Sequence, residues 1–415
     1  EITNIANLGN TENLNILYVS DFELKASIGI QNGNLFFFLI GLTGFFKFLK
    51  LQKVDNHKIY LILNLLIFFP PAIQMRLTLK PEILGFSLLP WIMYYFTSYL
   101  KNRNIVVFLK LILIVPIVLT AKASMTGMLG IFFLWLVIQN FKSLNLKEII
   151  AFLILSCLLF SFLYIENVNI INRSFFERED LKTIYNQEEY NNAADPRIFY
   201  NINFQELIKH PEKNYHADSI IGITLIDTFG DYFKEYWDKD YTLSNKYRKD
   251  FIKSNSETKI DFPNRTLYLE NWNFNLNYLR NISSLILSIF FFIFGFYFSI
   301  KKSGSAVLML SPFIGLLILI INSLGFPEYN FYPTTADTFK TFYYSFLLTL
   351  CFVEIMRVFL LSKLSFKKYL IIVYVFLICF ITGFPKANNT ELDYALSNIN
   401  RNTTLCNVNA IYLNY

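Results

Sequence analysis

Ten apolar runs, each close to the length that crosses a hydrocarbon core, dictate what this chain can become. Crossing takes roughly 20 apolar residues. The runs lie at approximately 35–51, 59–75, 83–100, 105–121, 125–141, 148–165, 282–300, 305–324, 340–360 and 369–384. Lipid offers no partner to an unpaired backbone group, so each run is expected as a helix. The fold class that follows is all-α: a polytopic membrane protein with about ten transmembrane helices. A large extracytoplasmic insert of mixed or mainly helical structure accompanies them.

The basic residues orient the helices. Alternate connections hold Lys47, Lys50, Lys53, Lys58, Lys101, Arg103, Lys142, Lys147, Lys301, Lys302, Arg357, Lys363, Lys367 and Lys368. The opposite short connections hold only Arg76, Lys80, Lys122 and Lys340. This alternation is a positive-inside pattern. It assigns residues 1–33 to an extracytoplasmic segment, 34–165 to six helices, 166–281 to the extracytoplasmic insert, 282–384 to four helices and 385–415 to an extracytoplasmic tail. Glu1 opens a polar stretch with no signal peptide, so the sequence reads as the distal end of a truncated first outer loop. One helix upstream would bring the total to about eleven.

Composition agrees with a lipid environment. Hydrophobic residues make up 54% and charged ones 16%, against roughly 25% charge in a soluble domain. The net charge of +6 comes from cations beside apolar runs, which points to membrane lipid and excludes nucleic acid as partner. Cys157, Cys351, Cys379 and Cys406 show no metal or disulfide spacing and read as apolar fillers.

Charges inside spans are costly and few. Glu354 and Arg357 are spaced for an ion pair on one helix face, and Lys110 is placed to snorkel to the inner interface. The remaining polar chemistry falls outside the spans, in three clusters. In Arg76-Leu-Thr-Leu-Lys80-Pro81-Glu82, Pro81 and Glu82 suit a helix start. The same residues set a carboxylate and two cations at the mouth of a bundle. His216-Ala-Asp218 and Asp227, Asp231 and Glu235 form the second cluster. If helical, the three acids share one face; His216 with Asp218 offers ligands for a divalent metal ion, and an interfacial helix with acids facing water is the plainer reading. In the third, Thr335 or Asp337 caps a helix whose N-terminus, with Lys340 beside it, suits an anion.

Taken together, the chain resembles the GT-C superfamily of membrane glycosyltransferases, such as the protein O-mannosyltransferases and lipid A aminoarabinose transferases. Three features carry the resemblance: an outer insert after the seventh helix once an upstream helix is restored, the Arg76…Lys80-Pro81-Glu82 loop, and Asp337-Thr-Phe-Lys340…Tyr344. It covers nearly the whole chain, by topology more than by motif. The resemblance implies a polyprenyl-phosphate-linked sugar as donor and inversion at the anomeric carbon. The Asn-, Lys- and Ile-rich residue usage points to a low-GC coding bias and so to a bacterium and its plasma membrane. The family's base is typically an Asp or Glu in the first outer loop, of which Asp21 and Glu23 are what this sequence retains. Glu82, Asp21 and Glu23 are therefore the candidate catalytic carboxylates, unless the base lies upstream of Glu1. Arg76, Lys80, Asp337, Lys340, Asp227 and Asp231 are the candidate substrate and phosphate ligands, and His216 with Asp218 the candidate metal site.

Two other readings compete. An O-antigen polymerase or ligase would rely on outer Arg and His residues, here His210, His216, Arg173, Arg178 and Arg197. A transporter or flippase would show Pro-broken helices at corresponding positions; Pro70-Pro71, Pro90, Pro116 and Pro312 are scattered.

Overall fold

A computed structural model describes residues 21–77, 81–171, 199–200, 202, 204–209, 219–230, 274–301, 306–325, 341–361 and 366–383. Every regular element among them is helical: α1 (Asp21–Leu51), α2 (Asn56–Ile67), α3 (Pro70–Leu77), α4 (Glu82–Asn102), α5 (Ile105–Leu119), α6 (Ala123–Gln139), α7 (Leu146–Ile171), α8 (Phe204–Lys209), α9 (Ile220–Phe229), α10 (Phe274–Lys301), α11 (Ala306–Gly325), α12 (Ser345–Leu361) and α13 (Phe366–Gly383). Short 3₁₀ turns at Phe141–Ser143 and Thr341–Tyr344 precede α7 and α12.

Among the described residues, five helical stretches are long and apolar enough to cross a membrane: Gly33–Leu51, Glu82–Asn102, Leu146–Ile165, Leu279–Ile300 and Thr341–Leu361. The count is six if α2 and α3 form one bent span. Helix α5 has 15 residues, about 22 Å at 1.5 Å per residue, which falls short of a ~30 Å hydrocarbon core. Ser124–Gln139, Ile220–Phe229 and Leu308–Ile321 are likewise shorter apolar helices. Apolar helices of these unequal lengths are consistent with an integral membrane protein.

The expected span at 59–75 is broken. Its halves meet at 66°, because Pro70 and Pro71 lack the N–H groups that would continue the ladder and Pro70 pushes Phe69 out of helical backbone. The chain restarts at once, with Ala72 and Ile73 donating to the Phe69 carbonyl at 2.9 and 3.1 Å.

Helix α12 runs through the middle of the bundle, packed by α2, α3, α4, α10 and α11, and nearly all its residues are buried. Phe352 of α12 stacks on Phe69 at 4.2 Å between centroids. Phe229 sits 5.2 Å from the same Phe69 ring and 5.8 Å from Phe291. Lipid tails are as apolar as these rings, so close packing holds this centre together, not escape from water. The α1–α4 contact follows the same rule. A Cβ at Gly41 would lie 2.8 Å from the Phe86 carbonyl oxygen, so glycine lets the backbones touch. Ser87 then donates to the Phe37 carbonyl at 2.7 Å and Trp91 to that of Ile40 at 2.9 Å. Helix α7 is peripheral, resting on α5 with most of its apolar side chains exposed.

Helix α9 departs most from expectation. It belongs to the insert, where a helix through Asp227, Asp231 and Glu235 with its acids in water was the plainer reading. Instead it is a ten-residue apolar helix, capped by Ser219, whose Oγ accepts from Gly222 N–H at 3.1 Å. It packs on α10, α3, α13 and the Thr341–Tyr344 turn. Every residue but Ile221 is buried, Asp227 to 2% exposure. Gly230 ends the helix; Asp231 and Glu235 lie outside the described residues. Mostly apolar or small side chains around the whole circumference explain the burial.

Candidate functional site

One end of the bundle gathers the polar side chains. Glu82 is the first residue of α4, behind Pro81 at the cap position. Its carboxylate is fully buried. Oε1 accepts from Lys122 Nζ at 2.5 Å, while Oε2 has no hydrogen-bond partner among the described residues. Lys122 occupies the cap position of α6 in extended backbone. Its side chain is 31% exposed, so the pair is reached from the Lys122 side. The same ammonium lies 4.7 Å over the Tyr343 ring, a contact that favours a cation held on an aromatic face. Tyr343 comes from the 3₁₀ turn, so three elements distant in sequence meet here.

A second polar group adjoins the first through the same turn. The Tyr344 hydroxyl lies 3.4 Å from Thr224 Oγ1 of α9, and Asp227 is near enough to act electrostatically on it. Thr228 donates to the Thr224 carbonyl at 2.7 Å. Gln74 of α3 and Thr341 of the turn are fully buried, and α3, α9 and the turn contact one another. On α10, Arg280, Asn281 and Ser284 are also buried; Arg280 Nε donates to Asn281 Oδ1 at 3.0 Å.

The expected residues are redistributed by this arrangement. Glu82 takes Lys122 as its cation, not Arg76, whose guanidinium lies 5.9 Å from the Phe38 ring centroid. Asp227 joins the buried group with Tyr344. Asp21 and Glu23 fall in the first turn of α1, continuous with the helix and not in a loop. Lys80, His216, Asp218, Asp231, Asp337 and Lys340 lie outside the described residues. No group of three His, Cys, Asp or Glu side chains able to hold a metal occurs among the described residues. Cys351 and Cys379 are buried and Cys157 is exposed; all three are free thiols.

Sequence reasoning passed over Lys122, Tyr343 and Gln74. Lys122 carried a signal: it is one of four cations on its side of the alternation, and it stands at a helix start where a cation is disfavoured by the dipole. A buried carboxylate 40 positions away supplies what that placement lacks. The chain matches no protein-family model, and comparison with curated proteins and with solved structures finds no match either.

Proposed function

We propose that this chain is a polytopic membrane glycosyltransferase, which moves a sugar from a polyprenyl-phosphate donor to an extracytoplasmic acceptor. The observation that carries the reading is the Glu82 carboxylate: wholly buried at a helix end, held at one oxygen by Lys122 and open at the other. Oε2 is buried with no hydrogen-bond partner among the described residues, so it takes a proton once an acceptor hydroxyl is admitted beside it. In the reaction, the acceptor oxygen bonds to the anomeric carbon while its proton passes to Glu82. The bond from that carbon to the phosphate oxygen breaks, and the electron pair leaves with the polyprenyl phosphate. Lys122, anchored by Glu82 and by the Tyr343 ring, adds positive charge where the phosphate departs.

The positive-inside alternation supports placing this end outside, and the ten apolar runs support ten crossings, the shorter helices being met by local thinning of the bilayer or by tilt of their neighbours. A bacterial plasma membrane fits that layout. The test uses the purified full chain in lipid nanodiscs, a polyprenyl-phosphate donor with a radiolabelled sugar and a panel of hydroxyl acceptors. Transfer by the unsubstituted chain and its loss in Glu82→Gln, with the melting temperature held, support the reading. Undiminished transfer by Glu82→Gln removes Glu82 as base. Transfer only from oligosaccharide pyrophosphates would favour a polymerase instead.

A further inference from the structure

The consecutive residues Tyr343 and Tyr344 face two different polar groups from one rigid 3₁₀ turn. Tyr343 covers the ammonium of Lys122; Tyr344 meets Thr224 of α9. Both ends of this connection are tightly held. Tyr344 is fully buried, and a Cβ added at Gly315 of α11 would lie 2.6 Å from its Cβ, so the turn is seated flush on α11. Two residues on, the Phe346 ring lies 2.9 Å from where a Cβ at Gly85 would stand, beside Met125 at 2.8 Å. Gly85 is one turn of α4 beyond Glu82, and Met125 one turn of α6 beyond Lys122. The turn is thus wedged between α9 on one side and the Glu82–Lys122 pair on the other.

We infer that Tyr344 and Thr224 are positioning residues for the Glu82–Lys122 site, through which helix α9 of the large insert fixes the Tyr343 ring over Lys122. This rests on the proposed role of Glu82, and it names the part of the insert that regulates the site. Thr341, Phe342 and Tyr344 of the turn are buried, and close-packed interiors transmit displacement instead of absorbing it. A shift of α9 against Tyr344 therefore reaches Tyr343 within one residue. When the ring moves off Lys122, the ammonium is uncovered and its hold on Glu82 Oε1 loosens, which changes the carboxylate that takes the proton. The mostly polar insert then governs the rim through its one described apolar, buried helix, and a ligand engaging the insert acts on the site by moving α9.

The experiment reads Lys122 directly, without requiring activity. The full chain in nanodiscs is pulsed with an amine-acylating succinimidyl ester, and acylation of Lys122 is followed by mass spectrometry. Tyr344→Phe and Thr224→Val each remove one hydroxyl and keep the packing volume nearly unchanged. Loss of a hydrogen bond worth roughly 1 kcal/mol corresponds to about fivefold in an equilibrium, so each is expected to raise the Lys122 acylation rate about fivefold. Tyr343→Ala, which removes the cover itself, raises it further. Thr382→Val deletes a hydroxyl that, among the described residues, bonds to Ile378 of its own helix, and leaves the rate unchanged. Rates in both Tyr344→Phe and Thr224→Val equal to the unsubstituted chain overturn the inference, as does an unchanged rate in Tyr343→Ala. A chain that shows the expected labelling yet transfers no sugar overturns the proposed function and leaves the connection standing.

Discussion

Two buried carboxylates, each paired with a cation, sit towards opposite ends of this bundle and are built on opposite principles. Glu354 of α12 is 1% exposed and faces Arg357 three residues on. Arg357 donates from Nε to Oε2 at 2.7 Å and from Nη2 to Oε1 at 2.6 Å. Both oxygens are served by a single planar fork, and helix geometry alone brings the partners together. Glu82 is equally buried, but its partner belongs to another helix, is a lysine, and serves one oxygen. The difference separates a closed pair from an open one. A closed pair satisfies its own charges and has nothing left to offer; an open pair retains an acceptor position at the cost of a less satisfied carboxylate.

The sharpest way to break this comparison is to neutralise each carboxylate in turn. Glu82→Gln is expected to lower sugar transfer by about 10²–10⁴-fold, the usual contribution of a positioned base, with only a small change in unfolding. Glu354→Gln is expected to leave transfer nearly intact. Initial rates on both variants decide, and equal losses would erase the distinction. Arg357→Ala strands a buried charge and should cost about 3–5 kcal/mol, read by chemical denaturation in detergent. Replacing Glu354 and Arg357 together by Leu and Met should recover most of that loss.

Smaller effects sharpen the comparison. Gly315→Ala pushes a methyl into the Tyr344 Cβ and should destabilise by about 1–3 kcal/mol as overpacking, with Lys122 acylation rising alongside. The Arg103–Glu148 pair, 2.7 Å apart and more than a quarter exposed at both side chains, is the surface counterpart. Arg103→Ala should cost no more than about 1 kcal/mol, and less in high salt. Smallest is the exposed Asp55, held below the usual carboxylate range by its hydrogen bond to Lys58 at 3.0 Å. A lowered folded-state value stabilises above the unfolded pKa of about 3.9, and is lost as pH falls through the folded value. Asp55→Asn should therefore lose a small stabilisation at neutral pH, leave strongly acid pH unchanged, and so flatten the acid limb of a stability–pH curve.

What the sequence disclosed was largely local. The apolar run expected at 83–100 forms α4 over Glu82–Asn102, and the same-helix pair of Glu354 with Arg357 was legible from spacing alone. Unequal helix lengths were not, because a run of apolar residues does not say where its ends turn. Pro70-Pro71 stood in plain view, yet whether a proline kinks, breaks or merely starts a helix depends on what packs against it. The Lys122–Glu82 pair and the seating of Tyr344 on Thr224 are contacts across 40 and 120 positions. They exist only once α4, α6, α9 and α12 are assembled, and nothing periodic announces them.

The burial of α9 also sets an order of assembly. At ten residues it is too short to enter a bilayer as a span of its own. Three of its neighbours, α10, the Thr341–Tyr344 turn and α13, come later in the chain. During synthesis α9 therefore has no finished slot to occupy. It must wait beside the membrane until the C-terminal helices arrive, then dock as one of the last steps. Truncation after α10 should leave this apolar segment unhoused, a target for chaperones and proteases, even though every residue of α9 itself is present.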